Sequence, residues 1–264
     1  MIIDLHNHTC NSYDGFTTPL ELLNSCIQRG IGAIAVTEHD IPCTIDPGPF
    51  SERGIELIPG CEYTTESGAH VIGLFVKTGL PSGTKRSDIF AHILFEGGIA
   101  VMPHPWKLGS GYMAIHGEDD YLSNFSFIEL INGGWKSGNF ALSIREIANQ
   151  YGIRMIATSD SHRGCQVSLC ASRFLNKSSD REGVRTKLET AAQSDIELLI
   201  DRPILTKHGR RTKWFQRSSI YQDLLPIIPT QLRKSIKAAQ YRLSKDRFAR
   251  TPNFESVELE NTTW

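Results

Sequence analysis

Two histidines separated by one residue follow the first apolar stretch of the chain. His6 and His8 stand in the run Asp-Leu-His-Asn-His, at the end of a predicted strand over residues 1–5. Side chains alternate between the two faces of a strand, so both imidazoles would lie on one face and could bind the same metal ion. The pair by itself is weak evidence, because two partly exposed histidines at a strand end show the same pattern.

Further potential metal ligands follow later predicted strands. The apolar segments 33–37, 56–63, 99–102 and 154–158 are predicted strands, and a histidine or carboxylate lies at or just after the end of each. In α/β folds the C-terminal ends of the strands form one rim, where binding sites are built. This repetition favours a shared metal site over separate packing roles. The residues predicted to reach the rim in this way are His39, Glu62, His104, Asp160 and His162.

Two more candidates, Asp14 and His70, fit this pattern less directly. Asp14 precedes a glycine, and a structural turn is the simpler interpretation of such a pair. His70 begins a predicted strand over 69–76 and does not end one. The residues 66–68 before it predict a tight turn, and a hairpin there would bring Glu62 and His70 to the same rim. The two side chains could then share one ion.

The order of these motifs resembles that of a known family. Asp-Leu-His-Asn-His, Thr-Glu-His-Asp, Gly-Cys-Glu, Pro-His-Pro and Ser-Asp-Ser-His look like the motifs of the PHP (polymerase and histidinol phosphatase) domain over about residues 1–200. The resemblance implies an α/β fold, a distorted seven-stranded TIM-like barrel, and two or three divalent metal ions. It assigns His6, His8, Glu62 and Asp160 to one ion, Glu62, His70 and His104 to a second, and Asp14, His39 and His162 to a third.

The implied activity is metal-dependent hydrolysis of a phosphate ester. Mixed imidazole and carboxylate ligation suits zinc, manganese or iron. A metal-bridging hydroxide at a trinuclear site would attack phosphorus in line. We expect His39, His162 and Asp40 to be catalytic, although Asp40, like Asp4, could equally be a solvated or capping carboxylate. The substrate would be a small phosphomonoester, such as a nucleotide or sugar phosphate, or a nucleic-acid end.

Two other functions stay open at this stage. A His-x-His pair after a first barrel strand also resembles amidohydrolases, which hydrolyse carbon–nitrogen bonds. The additional candidates Glu62 and His104, and the lack of a recognisable carboxylated-lysine motif, weigh against that activity. Alternatively, the metals could only stabilise a non-catalytic binding module. A purely structural site has no need for three ions with open coordination, so this reading is also disfavoured.

Helical patterns alternate with the predicted strands, which is typical of an α/β fold. Seven strands are predicted, the sixth over 127–131. The clearest helix starts at Thr18-Pro19-Leu20-Glu21, a capping box with proline at the first helical position, and ends near Gly30. Further helices are predicted near 88–96, 140–151 and 181–193.

The charge of the chain changes sharply near residue 200. Residues 1–201 carry 15 Lys and Arg against 24 Asp and Glu, whereas residues 202–250 carry 13 against 2. We therefore predict a hydrolase domain over 1–200 and a basic C-terminal extension over 201–264, packed on or flanking the barrel. Residues 230–248 predict a basic amphipathic helix, which could pack on the barrel or could contact a polyanion or an anionic membrane surface.

Two features predict a cytoplasmic protein. The six cysteines show no paired spacing, which favours a reducing compartment. The longest apolar runs are far shorter than the roughly 20 residues of a transmembrane helix, so no transmembrane segment is expected.

Overall fold

A computed structural model describes residues 1–135, 137–176, 183–201 and 254–257 of the chain. Within these residues the structure contains one ten-stranded sheet and six α-helices. The strands are Ile2–Asp4 (β1), Ala33–His39 (β2), Glu56–Thr64 (β3), His70–Leu74 (β4), Ile99–Met102 (β5), Phe127–Asn132 (β6), Arg154–Thr158 (β7), Cys170–Phe174 (β8), Ile196–Ile200 (β9) and Glu255–Val257 (β10). The α-helices are Pro19–Arg29 (α1), Gly48–Ser51 (α2), Arg86–Phe95 (α3), Tyr112–His116 (α4), Ala141–Tyr151 (α5) and Val184–Thr190 (α6).

The sheet is mixed and nearly closes on itself. Its order is β10-β9-β8-β1-β2-β3-β4-β5-β6-β7. The pairs β1–β2, β2–β3, β5–β6 and β6–β7 are parallel, and the pairs around β4 and β8 are antiparallel. The Ser172 hydroxyl in β8 accepts from Ala157 N at 2.9 Å and donates to Ala157 O at 3.0 Å in β7. These contacts join β7, at one edge of the sheet, to β8, which lies near the other edge. The sheet therefore has a barrel-like curvature.

The first helix begins as its sequence predicts. Thr18 Oγ1 accepts a hydrogen bond from Glu21 N at 3.3 Å, and Glu21 Oε2 accepts one from Thr18 N at 3.1 Å. Gly30 ends α1 with a φ of 64°, a left-handed conformation that glycine adopts at little cost. The buried side of the helix, which includes Leu22 and Cys26, packs against Val36 of β2. Burial of each large apolar side chain contributes about 1.5–3 kcal/mol.

The predicted hairpin after β3 is confirmed. Strands β3 and β4 pair antiparallel, with Thr64 opposite His70 and Glu62 opposite Ile72. Thr65 N donates to Ala69 O at 2.8 Å, and Gly68 has a φ of 88°, which closes the tight turn. The end of β3 and the start of β4 therefore lie at the same rim of the sheet.

The expected count of seven strands is wrong. All seven predicted strands are present, but β8 and β9 extend the sheet to nine strands by residue 200, and the short β10 pairs antiparallel with β9. The segment Cys170–Phe174 has no β-branched residue and includes Ser172 and Arg173, so its local pattern does not indicate a strand. Its strand conformation comes from long-range pairing with β1 and β9.

The predicted helices near 88–96 and 140–151 are observed as α3 and α5, with ends shifted by one or two residues. The predicted helix over 181–193 is shorter, since α6 covers Val184–Thr190. The predicted basic helix over 230–248 lies outside the described residues. No helix in the described part of the chain has both the length and the apolar character needed to cross a membrane.

Candidate metal centre

The His-x-His segment after β1 lies between the ends of two other strands. His8 N donates to Ser161 O at 2.8 Å, and Asn7 O accepts from Thr37 N at 2.9 Å. The Asn7 side chain accepts from the Ser161 hydroxyl at 2.7 Å. Asn7 is thereby fixed on the side towards β2 and β7. His6 and His8, which are both fully buried, point together into the barrel rim.

A first group of four side chains surrounds one point. His6 Nε2 and His8 Nε2 are 3.1 Å apart. Glu62 Oε2 lies 3.4 Å from His6 Nε2 and 3.1 Å from His8 Nε2. Asp160 Oδ1 lies 3.4 Å and 3.5 Å from the same two nitrogens. These four residues are the set that the sequence motifs assign to one ion.

A second group uses the other oxygen of the Glu62 carboxylate. Glu62 Oε1 lies 2.8 Å from His70 Nδ1 and 3.2 Å from His104 Nε2. The β3–β4 hairpin brings His70 to this position, and His104 comes from the loop after β5. The two oxygens of the Glu62 carboxylate therefore face two different sets of imidazoles.

A third group lies nearer to solvent. Asp14 Oδ2 is 2.9 Å from His162 Nε2 and 3.2 Å from His39 Nε2. The side chains of Asp14 and His162 are 30% and 28% exposed. His39 Nδ1 lies 3.3 Å from Glu62 Oε2, so this group adjoins the first. The structure thus brings all nine predicted ligands into one region.

Strained backbone conformations cluster at this rim. Five non-glycine residues of the described chain have a positive φ, and three of them are Asp40 (58°), His104 (28°) and Asp160 (48°). Such conformations cost on the order of 1–3 kcal/mol each and persist where surrounding contacts enforce them. Two of the three residues are predicted ligands, so the fold maintains this strain where it positions the cluster.

Opposite charges within the cluster shift the pKa values of His8 and Glu62 in opposite directions. Burial alone would lower the pKa of His8, but the carboxylates of Asp160 and Glu62 raise it to about 10. Burial alone would raise the pKa of Glu62, but the imidazoles of His70 and His6 hold it well below its ordinary value. The carboxylates are therefore ionised at neutral pH and attract positive charge into the rim.

The nitrogen and oxygen atoms of these side chains are suited to bind divalent metal ions. His6 Nδ1 bonds to the ionised carboxylate of Glu129 at 2.8 Å, which keeps the proton on Nδ1 and directs the Nε2 lone pair to the centre. Buried imidazole nitrogens and carboxylate oxygens then converge on common points, and a cation is the species that relieves their mutual repulsion. Four overlapping groups of three or more such side chains have ligand atoms within 4.8 Å of one another.

Sequence reasoning missed Glu129, which is fully buried in β6. Its carboxylate bonds to His6 Nδ1 and also accepts from Thr158 Oγ1 at 2.6 Å, His104 N at 2.7 Å and Asn132 Nδ2 at 2.6 Å. The pairing of β6 with β7 shifts register between Glu129 and Ile131, and such bulges redirect side chains near active sites. A lone acidic residue within the apolar run Phe-Ile-Glu-Leu-Ile was the available signal.

The two aspartates predicted beside the ligands contact other parts of the rim. The Asp40 carboxylate accepts from Thr64 N at 2.6 Å and from Thr64 Oγ1 at 3.0 Å, so it fastens β2 to the hairpin. The Asp4 carboxylate accepts from Ser159 N at 3.0 Å and from Ser159 Oγ at 2.6 Å. Burial raises the pKa of Asp4 to about 6. Both carboxylates hold the backbone next to predicted ligands.

An open cavity of about 580 Å³ exposes the cluster to solvent. Lys107 lines it, with Nζ 3.9 Å from Asp160 Oδ2. Tyr13 also lines it and stacks on His39, with ring centroids 4.9 Å apart. The Arg163 guanidinium lies over the Phe16 ring at 5.4 Å.

Comparisons with known proteins find relatives that match part of the chain. No family model matches the chain. It is 31% identical over 122 residues to an uncharacterized protein of Methanocaldococcus jannaschii, covering 40% of this chain and 69% of that protein. It is 34% identical over 89 residues to the 5'-3' exoribonuclease Rnm of Salmonella typhimurium, covering 31% of this chain and 30% of the exoribonuclease. The chain therefore spans less than a third of the exoribonuclease's length.

The fold is similar to a solved two-domain protein from Bacteroides vulgatus that is described as "containing predicted PHP-like metal-dependent phosphoesterase". The TM-score is 0.57 at 20% sequence identity, over 75% of this chain and 64% of the other. The fold of the chain is similar to that of a PHP-like metal-dependent phosphoesterase, and its ordered motifs resemble those of the PHP family.

Proposed function

We propose that the chain hydrolyses phosphate esters at the end of a nucleic acid, or in a nucleotide, with three divalent metal ions. The observation that carries the proposal is the convergence of six imidazoles and three carboxylates in overlapping groups, seven of whose nine members line one open cavity. Partial identity to a protein named as an exoribonuclease favours a nucleic-acid end over a sugar phosphate.

The proposed ion assignment follows the three observed groups. His6, His8, Glu62 and Asp160 would hold the first ion, and Glu62 would bridge to a second held with His70 and His104. The third would lie with Asp14, His39 and His162. When bound, the ions would act as Lewis acids and make a nucleophile available near neutral pH by lowering the pKa of water. Three divalent ions with three carboxylates leave a net charge of +3, which complements a phosphate.

The protein's own residues would bind the substrate and orient the predicted metal ligands. Lys107 lines the cavity beside Asp160 and supplies a cation that would contact a phosphate oxygen. Glu129 holds the imidazole of His6 in one orientation, so that Nε2 faces the centre. Tyr13 covers one face of the His39 ring and limits water access to it.

The partly exposed third group suits a long substrate. Asp14 and His162 face the opening of the cavity, so the end of a chain can enter while the remaining nucleotides stay outside. A small, enclosed substrate would fit a more buried pocket.

The test begins with a chromogenic phosphomonoester and added Mn²⁺, and continues with 5'-phosphorylated and 5'-hydroxyl oligoribonucleotides. We expect turnover that chelation abolishes, and loss of nearly all of it in His39→Ala and Asp160→Ala. His92→Ala is the matched control, because His92 contacts Thr78 and belongs neither to the cavity lining nor to the metal-ligand groups.

Full turnover in Asp160→Ala would reject the ion assignment. Hydrolysis of an amide without any ester activity would indicate a carbon–nitrogen hydrolase. Metal binding that raises only the melting temperature, with no turnover on any ester, would indicate a non-catalytic module.

A further inference from the structure

Three aromatic side chains stack in parallel beside the metal centre. The Phe140 ring lies 5.7 Å from the Trp106 ring, with an interplanar angle of 11°. It lies 6.2 Å from the Trp135 ring, with an angle of 25°. We call Trp106, Trp135 and Phe140 the aromatic platform. Trp106 comes from the loop after β5, and Trp135 and Phe140 come from the connection between β6 and α5, so two separate segments meet there.

Short chain segments and hydrogen bonds connect two members of the platform to the metal centre. Trp106 is two residues after His104, and Lys107 N donates to His104 O at 2.9 Å. Trp135 N donates to Asn132 Oδ1 at 2.7 Å, while Asn132 Nδ2 bonds to Glu129.

The turn that carries Trp135 lies directly against a predicted ligand. A β-carbon added to Gly134 would lie 2.7 Å from Asp160 Oδ2. The platform is therefore within a few residues of Lys107 and close to Asp160, and both of these residues line the cavity.

The platform keeps an aromatic surface open to solvent. Trp106 and Trp135 are half-buried and pack against the main core, which fixes their rings. Phe140 is 40% exposed between them. The adjacent Lys107 side chain is 37% exposed and lines the cavity. A rigid aromatic surface next to a cation is the combination that single-stranded nucleic acids bind, through base stacking and phosphate contact.

We propose that the aromatic platform stacks the base of the nucleotide whose phosphate occupies the metal centre. This inference rests on the proposed function and adds the substrate class, a single-stranded nucleic-acid end with an intact terminal base. Lys107 directly follows Trp106, and its Nζ lies 3.9 Å from Asp160 Oδ2, where it can meet the charge of the phosphate. Stacking tolerates every base, so the preference is for the presence of a base and not for its identity.

The experiment compares two 5'-phosphorylated oligoribonucleotides that differ only in an intact or an abasic first residue. Phe140→Leu keeps an apolar side chain and removes the stacking face. We expect this variant to raise KM for the intact oligonucleotide by about 5- to 160-fold, the range of one base–aromatic stack. KM for the abasic oligonucleotide stays unchanged. Phe95→Leu is the matched control, because Phe95 is 89% exposed at the end of α3.

Different experimental results would contradict the proposed role of the platform and the proposed function. Equal KM values for the two oligonucleotides in the wild type would overturn the platform and leave the hydrolase intact. If no ester is cleaved, fluorescence anisotropy of labelled oligonucleotides with Mn²⁺-loaded protein still measures both affinities. Tighter binding of the intact oligonucleotide that Phe140→Leu abolishes supports the platform, and equal affinities reject it.

Discussion

Replacing Glu129 by Gln tests whether its hydrogen bond to His6 orients that imidazole as a predicted metal ligand. The substitution keeps the shape of the side chain and removes the charge that faces His6 Nδ1 at 2.8 Å. Burial alone would raise the pKa of Glu129, but His6 lowers it, so the native carboxylate is ionised at neutral pH. The observed partners of this carboxylate are hydrogen-bond donors or a tautomeric imidazole. The NH₂ group of Gln would therefore face at least one donor, and that hydrogen bond would be lost.

The expected loss follows from the role of such contacts. Removing a hydrogen-bond partner of a ligating histidine weakens metal affinity by about 10- to 100-fold. That range corresponds to roughly 1.4–2.7 kcal/mol. The first ion should be affected most, because His6 belongs to the group with Glu62 and Asp160.

Metal content after dialysis against buffered Mn²⁺ or Zn²⁺ measures this loss directly. Glu38→Gln is the matched control, because Glu38 is also fully buried and its carboxylate bonds to Thr9 N and Thr9 Oγ1. If Glu129→Gln binds metal as tightly as Glu38→Gln and the wild type, the orientation argument is wrong. If both variants lose metal equally, the effect comes from general destabilisation.

Three further predictions address the rim, the protonation of the cluster and the first helix. Gly134→Ala should lower activity strongly, because its β-carbon would lie 2.7 Å from Asp160 Oδ2; Gly183→Ala, with no atom near the added carbon, should retain wild-type kcat/KM. In the chelated protein, burial alone would lower the pKa of His8, but facing carboxylates raise it to about 10. The protonated imidazole therefore stabilises the fold below its ordinary pKa of 6.5, and this contribution is lost as pH rises towards 10. Urea midpoints should fall over that range, and less in His8→Gln. Thr18→Ala removes the helix cap and should cost about 1 kcal/mol of unfolding free energy without changing metal content, a result that thermal unfolding and metal analysis can check.

Local sequence was sufficient for much of the fold. The cap at Thr18 and the β3–β4 hairpin depend on side chains within a few residues of one another, so they could be predicted without coordinates. Strand alternation likewise predicted that His6 and His8 share a face. The residue types at the strand ends indicated which side chains would meet, and the structure brings them together, although their role as ligands stays a prediction.

The remaining features depend on contacts between distant segments. β8 forms a strand because β1 and β9 pair with it, which no local pattern in Cys170–Phe174 indicates. Asp14 meets His162 across 148 residues of chain, and a turn-forming aspartate carries no sign of that contact.

What the sequence by itself determined is the chemistry of this protein, because side-chain type and strand alternation are local properties. Tertiary structure decided how the side chains are oriented. Glu129 reaches His6 from β6, where the pairing register with β7 shifts, and two loops bring the aromatic platform together near Asp160. Both arrangements arise from packing between segments far apart in the chain, which sequence periodicity does not encode.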